Sequence, residues 1–167
     1  MYYEDVINGL NDKGVRYLVV GGIALVLHGV VRLTVDFDIM LDLKTENIEK
    51  FIDLMDDLGY KPKVPVSSND FINPQKRAQW VSEKHMMVFS FYNPKKQFEI
   101  VDVIVENPID FNKAYEDRIE ISAEELKIPL VSIDDLKKLK TLAGRPQDLA
   151  DIKALDDLIN ILKEDEN

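Results

Sequence analysis

The chain has 167 residues, 31 acidic and 21 basic, for a formal charge of −10, with 46% hydrophobic residues and no cysteine. That size and apolar content suit one folded domain with a core, and the missing cysteines exclude disulfides and thiolate metal sites. The charge balance opposes general nucleic-acid binding. No apolar run reaches the roughly 20 residues of a membrane span. The opening MYYEDVINGL, with two acids and no base, is unlike a secretory leader, so a cytoplasmic protein is expected.

Residues 3–11 read as a helix with Val6, Ile7 and Leu10 on one side, and 11–14 as a turn. An apolar strand, Tyr17 with Leu18, Val19 and Val20, then enters Gly21-Gly22 and a short apolar helix that stops near His28 and Gly29. Glycines between a strand and a helix carry no Cβ, so the backbone there can approach a ligand closely. The helix start offers unpaired N–H groups to a phosphate. Thirteen residues separate the pair from Asp36-Phe37-Asp38, which lies in a second strand expected from about Arg32 to Leu41. A side-chain period of two puts Asp36 and Asp38 on one face, together with Arg32 and Thr34. Adjacent carboxylates repel unless a cation lies between them. Their hard oxygens suit Mg²⁺ or Mn²⁺.

Thr45 reads as the N-cap of a helix over 45–58 that Gly59 closes. Residues 60–74, with three prolines and two serines, read as irregular connection. Lys76, Arg77 and Trp80 follow, a set that suits contact with a base or phosphate. The favoured reading is an ordinary strand with one snorkelling charge. Strands are predicted at 78–81, 86–92 and 98–105, with a turn at 93–96. Asp102 interrupts the last of these, FEIVDVIV, and a carboxylate buried there needs a metal or a base as partner. Glu99 is the competitor, on the opposite face and nearer solvent. Beyond it come a short helix over 110–117 and two short strands, 119–121 and 128–131, pairing at a sheet edge. Ser132, with Asp135 in capping-box position, starts a helix that ends near Gly144. Pro146 suits the first turn of the last helix, which turns Leu149, Ile152, Leu155, Ile159 and Leu162 inward before the tail EDEN frays. His28 and His85 lack metal-ligand spacing and read as structural or solvent-facing.

The Gly-Gly turn, the spacer and the Asp-x-Asp pair together resemble the nucleotidyltransferase superfamily, with its DNA polymerase beta-like fold. The likeness is greatest to small prokaryotic members similar to abortive-infection type nucleotidyltransferase toxins. A second block, LKTLAGRPQDLADIKAL at 139–155, extends the likeness through Lys140, Arg145 and an acid shortly after them, Asp148 with Asp151 beside it. The resemblance implies an α/β (α+β) fold, a mixed β-sheet flanked by helices over about 15–131 with a C-terminal helical pair over about 132–163. It implies that Asp36, Asp38 and Asp102 are the catalytic and metal-binding acids, holding two Mg²⁺ or Mn²⁺ ions. It assigns Gly21, Gly22, Arg32, Thr34, Lys140, Arg145 and Asp148 to nucleotide binding. The implied reaction moves a nucleoside monophosphate from a triphosphate such as ATP to a hydroxyl on a tRNA end, a protein or a small molecule. A protein partner or second copy is implied where the substrate cleft needs completing.

Bland readings stand beside these. Arg32 buffers neighbouring carboxylates equally well, and an Asp at position 148 is favourable in a helix's first turn for dipole reasons alone. A non-catalytic nucleotide- or metal-binding module of a toxin and antitoxin or regulatory pair is the alternative to an enzyme.

Overall fold

The apolar strand segments lie side by side in the computed structural model, which describes residues 2–123 and 125–165. In chain order the first half comprises α1 (Glu4–Asp12), β1 (Tyr17–Val19), α2 (Gly21–His28), β2 (Phe37–Leu41), α3 (Thr45–Asp57), β3 (Lys61–Pro62), a 3₁₀ helix (Ser68–Ile72) and α4 (Pro74–Lys84). The second half comprises β4 (Val88–Asn93), β5 (Lys96–Ile104), α5 (Phe111–Glu116), β6 (Ile119–Ala123), β7 (Leu126–Leu130), α6 (Ile133–Ala143) and α7 (Pro146–Asp165). Among the described residues the strands form one seven-stranded mixed sheet in the order β3-β4-β5-β2-β1-β7-β6. β2 runs parallel to β5 and antiparallel to β1, and β1 runs parallel to β7.

Strand alternation decides what each face of this sheet does. The odd-numbered Phe37, Ile39, Val101, Val103, Phe89 and Phe91 are fully buried. Tyr3 stacks on Phe37 at 5.1 Å, and Phe51 of α3 meets Phe91 edge-on at 5.5 Å, so α1 and α3 cover this face. The even-numbered Asp38, Asp102 and Ser90 occupy matching ladder positions and point to the other face, toward α6. Burial of the odd face drives the fold, while the even face is free to carry charge.

Several elements differ from the sequence expectation. The stretch 78–81 is helical, within α4: Asn73 accepts from the backbone N–H groups of Gln75 and Lys76, and Pro74 follows at the first helical position. A capped start with proline outweighs a short apolar run. The region 60–74 contains the edge strand β3 and the 3₁₀ helix, whose cap Ser67 accepts from the Asn69 N–H. β2 begins only at Phe37, so Arg32, Thr34 and Asp36 precede the strand. The alternation persists without a ladder, with Val31 and Leu33 fully exposed while Arg32 and Thr34 turn inward.

Lys44, not Thr45, occupies the cap position of α3, and the Lys44 N–H donates to Asp42. β6 lies at the sheet edge, but β7 is interior, held between β6 and β1. Of the expected inward stripe on α7, Leu155 is buried while Leu149 and Leu162 are exposed, because the helix turns Asp148 and Asp151 inward instead. Glu99 does lie opposite Asp102, yet it is buried, accepting from the Tyr60 hydroxyl at 2.5 Å with Lys96 Nζ at 3.3 Å. The His28 ring lies 2.8 Å from the Val131 carbonyl, tying α2 to the chain beyond β7. Of the tail expected to fray, the last two residues, 166 and 167, lie outside the described residues. No helix among the described residues is long and apolar enough to cross a membrane.

Candidate active site

β1 delivers the chain to Gly21, whose φ of +66° is left-handed and open to glycine at little cost. α2 starts there, and the Val20 N–H donates to the Asp38 carbonyl at 3.0 Å. This places the Asp38 side chain directly over the glycine turn. A Cβ on Gly21 would collide with the Asp38 carboxylate, and one on Gly22 would collide with the Thr34 side chain. Both glycines are thus demanded first by the acidic segment packed on them, a role additional to the ligand approach expected from sequence. The Gly22 N–H hydrogen-bonds the Asp38 carboxylate, so a donor of the helix start faces an acid side chain of the same site.

Asp38 and Asp102 are direct partners in the parallel ladder between β2 and β5. Ser90 of β4 pairs with Asp102 from the other side, and its side chain hydrogen-bonds the carboxyl group. Asp102 Oδ1 is nevertheless buried with no hydrogen-bond partner. Burial pushes the Asp38 carboxyl up to about 7, and the Asp102 charge adds to the shift while the Gly22 N–H opposes it. Asp102 is likewise raised by burial, against the Ser90 hydrogen bond, with Asp36 contributing to the rise and Lys63 opposing it. Asp36 lies just outside the ladder and acts electrostatically on both.

An orphaned buried carboxylate oxygen beside a second, half-buried acid is a donor set suited to a hard divalent cation. Both carboxyl groups are raised by burial and by their acidic neighbours, and a cation's charge between them would favour the ionised forms. Among the described residues, no group of three or more Asp, Glu, His or Cys side chains stands in metal-ligand geometry. The three acids share a side of the sheet without closing on one point, since Asp36 precedes the strand and Asp38 is held by Gly22.

α6 and α7 supply the opposite wall. Lys140 Nζ is buried 2.7 Å from Asp151 Oδ2 and 3.4 Å from Asp148 Oδ1. Asp148 also receives Arg145, with Nε at 2.7 Å, Nη2 at 3.2 Å and the backbone N–H at 3.1 Å. Although burial opposes it, these bonds from Arg145 hold the Asp148 carboxyl below its usual range. Arg32 Nε lies 3.4 Å from Asp151 Oδ1, so its carboxylate partner comes from α7 and not from the neighbouring Asp-x-Asp pair. The cleft between the two walls measures about 370 Å³. Gly21, Asp38, Asp102, Lys140, Arg145 and Asp148 line its polar side, and Met87, Val88, Ile104, Leu139 and Leu142 its apolar side. A separate apolar groove of about 510 Å³, lined by Tyr3, Ile23, Val35 and Phe98, holds no acid or base from the predicted set.

The structure thus brings Gly21, Asp38, Asp102, Lys140, Arg145 and Asp148 to one cleft, while Gly22, Arg32 and Asp36 do not line it and Thr34 lines the apolar groove. Lys76, Arg77 and Trp80 belong elsewhere: Arg77 is buried, donating to the Phe71 and Ile72 carbonyls, and Trp80 stacks on Phe89 at 5.2 Å. Ser90 was not singled out from sequence, though its strand alternation with Phe89 and Phe91 places it on the face of Asp102. Asp151, the hub joining Lys140 to Arg32, carries the same i, i+3 signal as Asp148 on a helix face.

This sheet order with these flanking helices is a nucleotidyltransferase-type α/β fold. A lincosamide antibiotic adenylyltransferase, LnuA, solved with lincomycin bound, matches with a TM-score of 0.57 and 20% identity over 90% of this chain and 92% of that one. A putative nucleotidyltransferase from Thermotoga maritima matches with a TM-score of 0.55 and 18% identity, covering 95% and 89%. ANT(2")-Ia, solved in complex with adenylyl-2"-tobramycin, matches with a TM-score of 0.56 and 12% identity, covering 95% and 88%. No curated protein sequence matches the chain. The sequence model of the family described as nucleotidyltransferase of unknown function (DUF6036) matches residues 4–164, and the chain belongs to that family.

Proposed function

We propose that this chain is a divalent-metal-dependent nucleotidyltransferase that moves a nucleoside monophosphate from a triphosphate to the hydroxyl of a small molecule, releasing pyrophosphate. The observation that carries the reading is the ladder pair of Asp38 and Asp102 beside the Gly21 turn, with Asp102 Oδ1 buried and unpartnered in a cleft whose far wall is Lys140. Asp36, Asp38 and Asp102 would hold the Mg²⁺ or Mn²⁺ ions, which supply charge neutralisation and activation of the acceptor hydroxyl.

The chain's own residues then do the positioning. The turn at Gly21 and Gly22 gives the triphosphate a close backbone surface, bordered by Arg32 and Thr34. Arg145, oriented by Asp148 and otherwise exposed, is free to reach phosphate oxygens. Lys140, fixed by Asp151, keeps positive charge at the cleft wall where the leaving pyrophosphate gathers negative charge. The acceptor oxygen bonds to the α-phosphorus as the bond to the pyrophosphate oxygen breaks, and the hydroxyl proton passes to a carboxylate of the acidic cluster.

A small acceptor is supported by the formal charge of −10, which disfavours a polyanionic RNA. It is supported also by the lincosamide and tobramycin ligands of the structural neighbours. The absence of a closed three-acid cluster among the described residues favours a second reading, a regulatory module that binds nucleotide without turning it over.

The test supplies each α-labelled triphosphate with Mg²⁺ and either a panel of hydroxylated small molecules or total RNA. Transfer to a small molecule, lost in Asp38→Asn and Asp102→Asn, is the expected result. Triphosphate binding with no labelled product from any acceptor establishes the regulatory module instead.

A further inference from the structure

The β2–β5 ladder runs through Phe37 with Val101, Asp38 with Asp102 and Ile39 with Val103, and it stops one residue short of Asp36. Extending the same register pairs Val35 with Glu99, and the next parallel bond would join the Ile100 N–H to the Val35 carbonyl. The Tyr3 hydroxyl stands in that place: it accepts from the Ile100 N–H at 3.0 Å and donates to the Val35 carbonyl at 2.6 Å. Both backbone groups are satisfied, but the strands are held apart by the width of a hydroxyl. The ring is buried and stacked on Phe37, and the bridge itself is made by the hydroxyl alone.

Tyr3 adopts a left-handed backbone, φ +62°, at the entry of α1, a conformation unfavourable for a residue with a Cβ. The Ile7 N–H donates to the Tyr3 carbonyl at 2.9 Å, and Val6, Ile7 and Leu10 anchor the helix that holds it there. The phenol also lies within electrostatic reach of Asp36 and Asp102.

The geometry points to Tyr3 as a positioning residue for the metal site: its hydroxyl replaces the next β2–β5 bond and so sets where Asp36, bonded to Val35, stands relative to Asp38 and Asp102. This rests on the metal-dependent reading given above. With the hydroxyl gone, Val35 and Ile100 can bond directly, and Asp36 is drawn into strand alignment. A fixed outer hydrogen bond of this kind orients a ligand as surely as its own rotamer does.

Tyr3→Phe tests this, since it keeps the ring and removes only the hydroxyl. Phe37→Leu is the control, loosening the same stack without touching the bridge. Mn²⁺ is titrated into each protein without nucleotide, followed by electron paramagnetic resonance, and exchange of the Ile100 amide is measured alongside. The expected result is a roughly ten- to hundredfold loss of Mn²⁺ affinity in Tyr3→Phe with altered Ile100 exchange, and wild-type affinity in Phe37→Leu. Equal affinity in Tyr3→Phe and wild type overturns the inference and leaves the metal-dependent reading standing. An equal loss in Phe37→Leu also overturns it, because packing then suffices as the explanation. A wild-type protein that takes up no Mn²⁺ overturns both.

Discussion

Asp38 and Asp102 face each other across a parallel strand pair, one carboxyl held by the Gly22 N–H and the other by Ser90. The pair has a pH signature in metal-free protein. The Asp38 carboxyl is raised by burial, then by Asp102, from 3.8 to about 7. Between those values the folded chain binds the proton more tightly than the unfolded chain, so stability falls as pH rises from about 4 to about 7 and then levels off. Urea denaturation in chelator should show a slope from this group on the order of a few kcal/mol across the window, at about 1.4 kcal/mol per unit. Asp148, shifted the other way, adds stability that is lost at the acid end. The slope between pH 4 and 7 should therefore flatten in Asp38→Asn; an unchanged slope would remove Asp38 as its source.

Gly21 is the position where backbone and site constrain each other most tightly. Alanine there must hold a left-handed φ while its Cβ displaces the Asp38 carboxylate. Gly21→Ala should cost about 1–3 kcal/mol of stability. Its loss of kcat/KM should exceed that of Gly14→Ala, which has a similar φ and open space around its Cβ. Thermal melts and transfer assays on the two variants separate strain from displacement of the acid.

Lys140 is buried against two carboxylates, and Arg32 and Arg145 complete the network. Lys140→Met leaves Asp148 and Asp151 without their shared cation. Removing one partner of such a buried pair costs about 3–5 kcal/mol. Lys140→Met/Asp151→Leu should regain part of that stability but none of the transfer activity. Recovery of activity in the double variant would make the lysine purely structural.

The Gly-Gly turn, Asp38 and Asp102 stand out in the sequence because each breaks a local rule: glycines between strand and helix, and charges inside apolar strands; the strand start at Phe37, which leaves Asp36 outside, does not. Alternation within one strand does not fix the facing of another: that Asp102 shares a side with Asp38 is implied by the family resemblance, and the register of β2 on β5 pairs the two residues. Other features depended on contacts that no local pattern encodes. Tyr3 meets Ile100 across 97 residues, and Arg32 finds Asp151 on the last helix. The apolar stripe read on α7 is buried at Leu155 but broken at Leu149 and Leu162, because that helix buries Asp148 and Asp151 against Lys140, where tertiary ion pairing overrides hydrophobic periodicity. The stretch 78–81 failed because a strand-like run of four residues is too short to compete with the Asn73-Pro74 helix start about one turn earlier.

That misreading leads to the last prediction, which concerns Arg77. The basic and aromatic set at Lys76, Arg77 and Trp80 reads first as structural and second as a base or phosphate contact; in α4 the arginine side chain turns inward. Its Nη1 donates to the Phe71 carbonyl at 2.6 Å and the Ile72 carbonyl at 3.0 Å, with the guanidinium 5.6 Å over the Phe71 ring. Arg77→Ala removes two charge-assisted bonds and strands two carbonyls in the interior, so stability should fall by about 2–3 kcal/mol. Because Arg77 lines no part of the cleft with Asp38 and Asp102, kcat/KM measured well below the melting temperature should be unchanged. Lysine at this position should not restore stability, since a single ammonium cannot reproduce the planar fork. If Arg77→Ala instead keeps its melting temperature and loses nucleotide affinity, the basic cluster is a substrate contact and the structural role assigned to it is wrong.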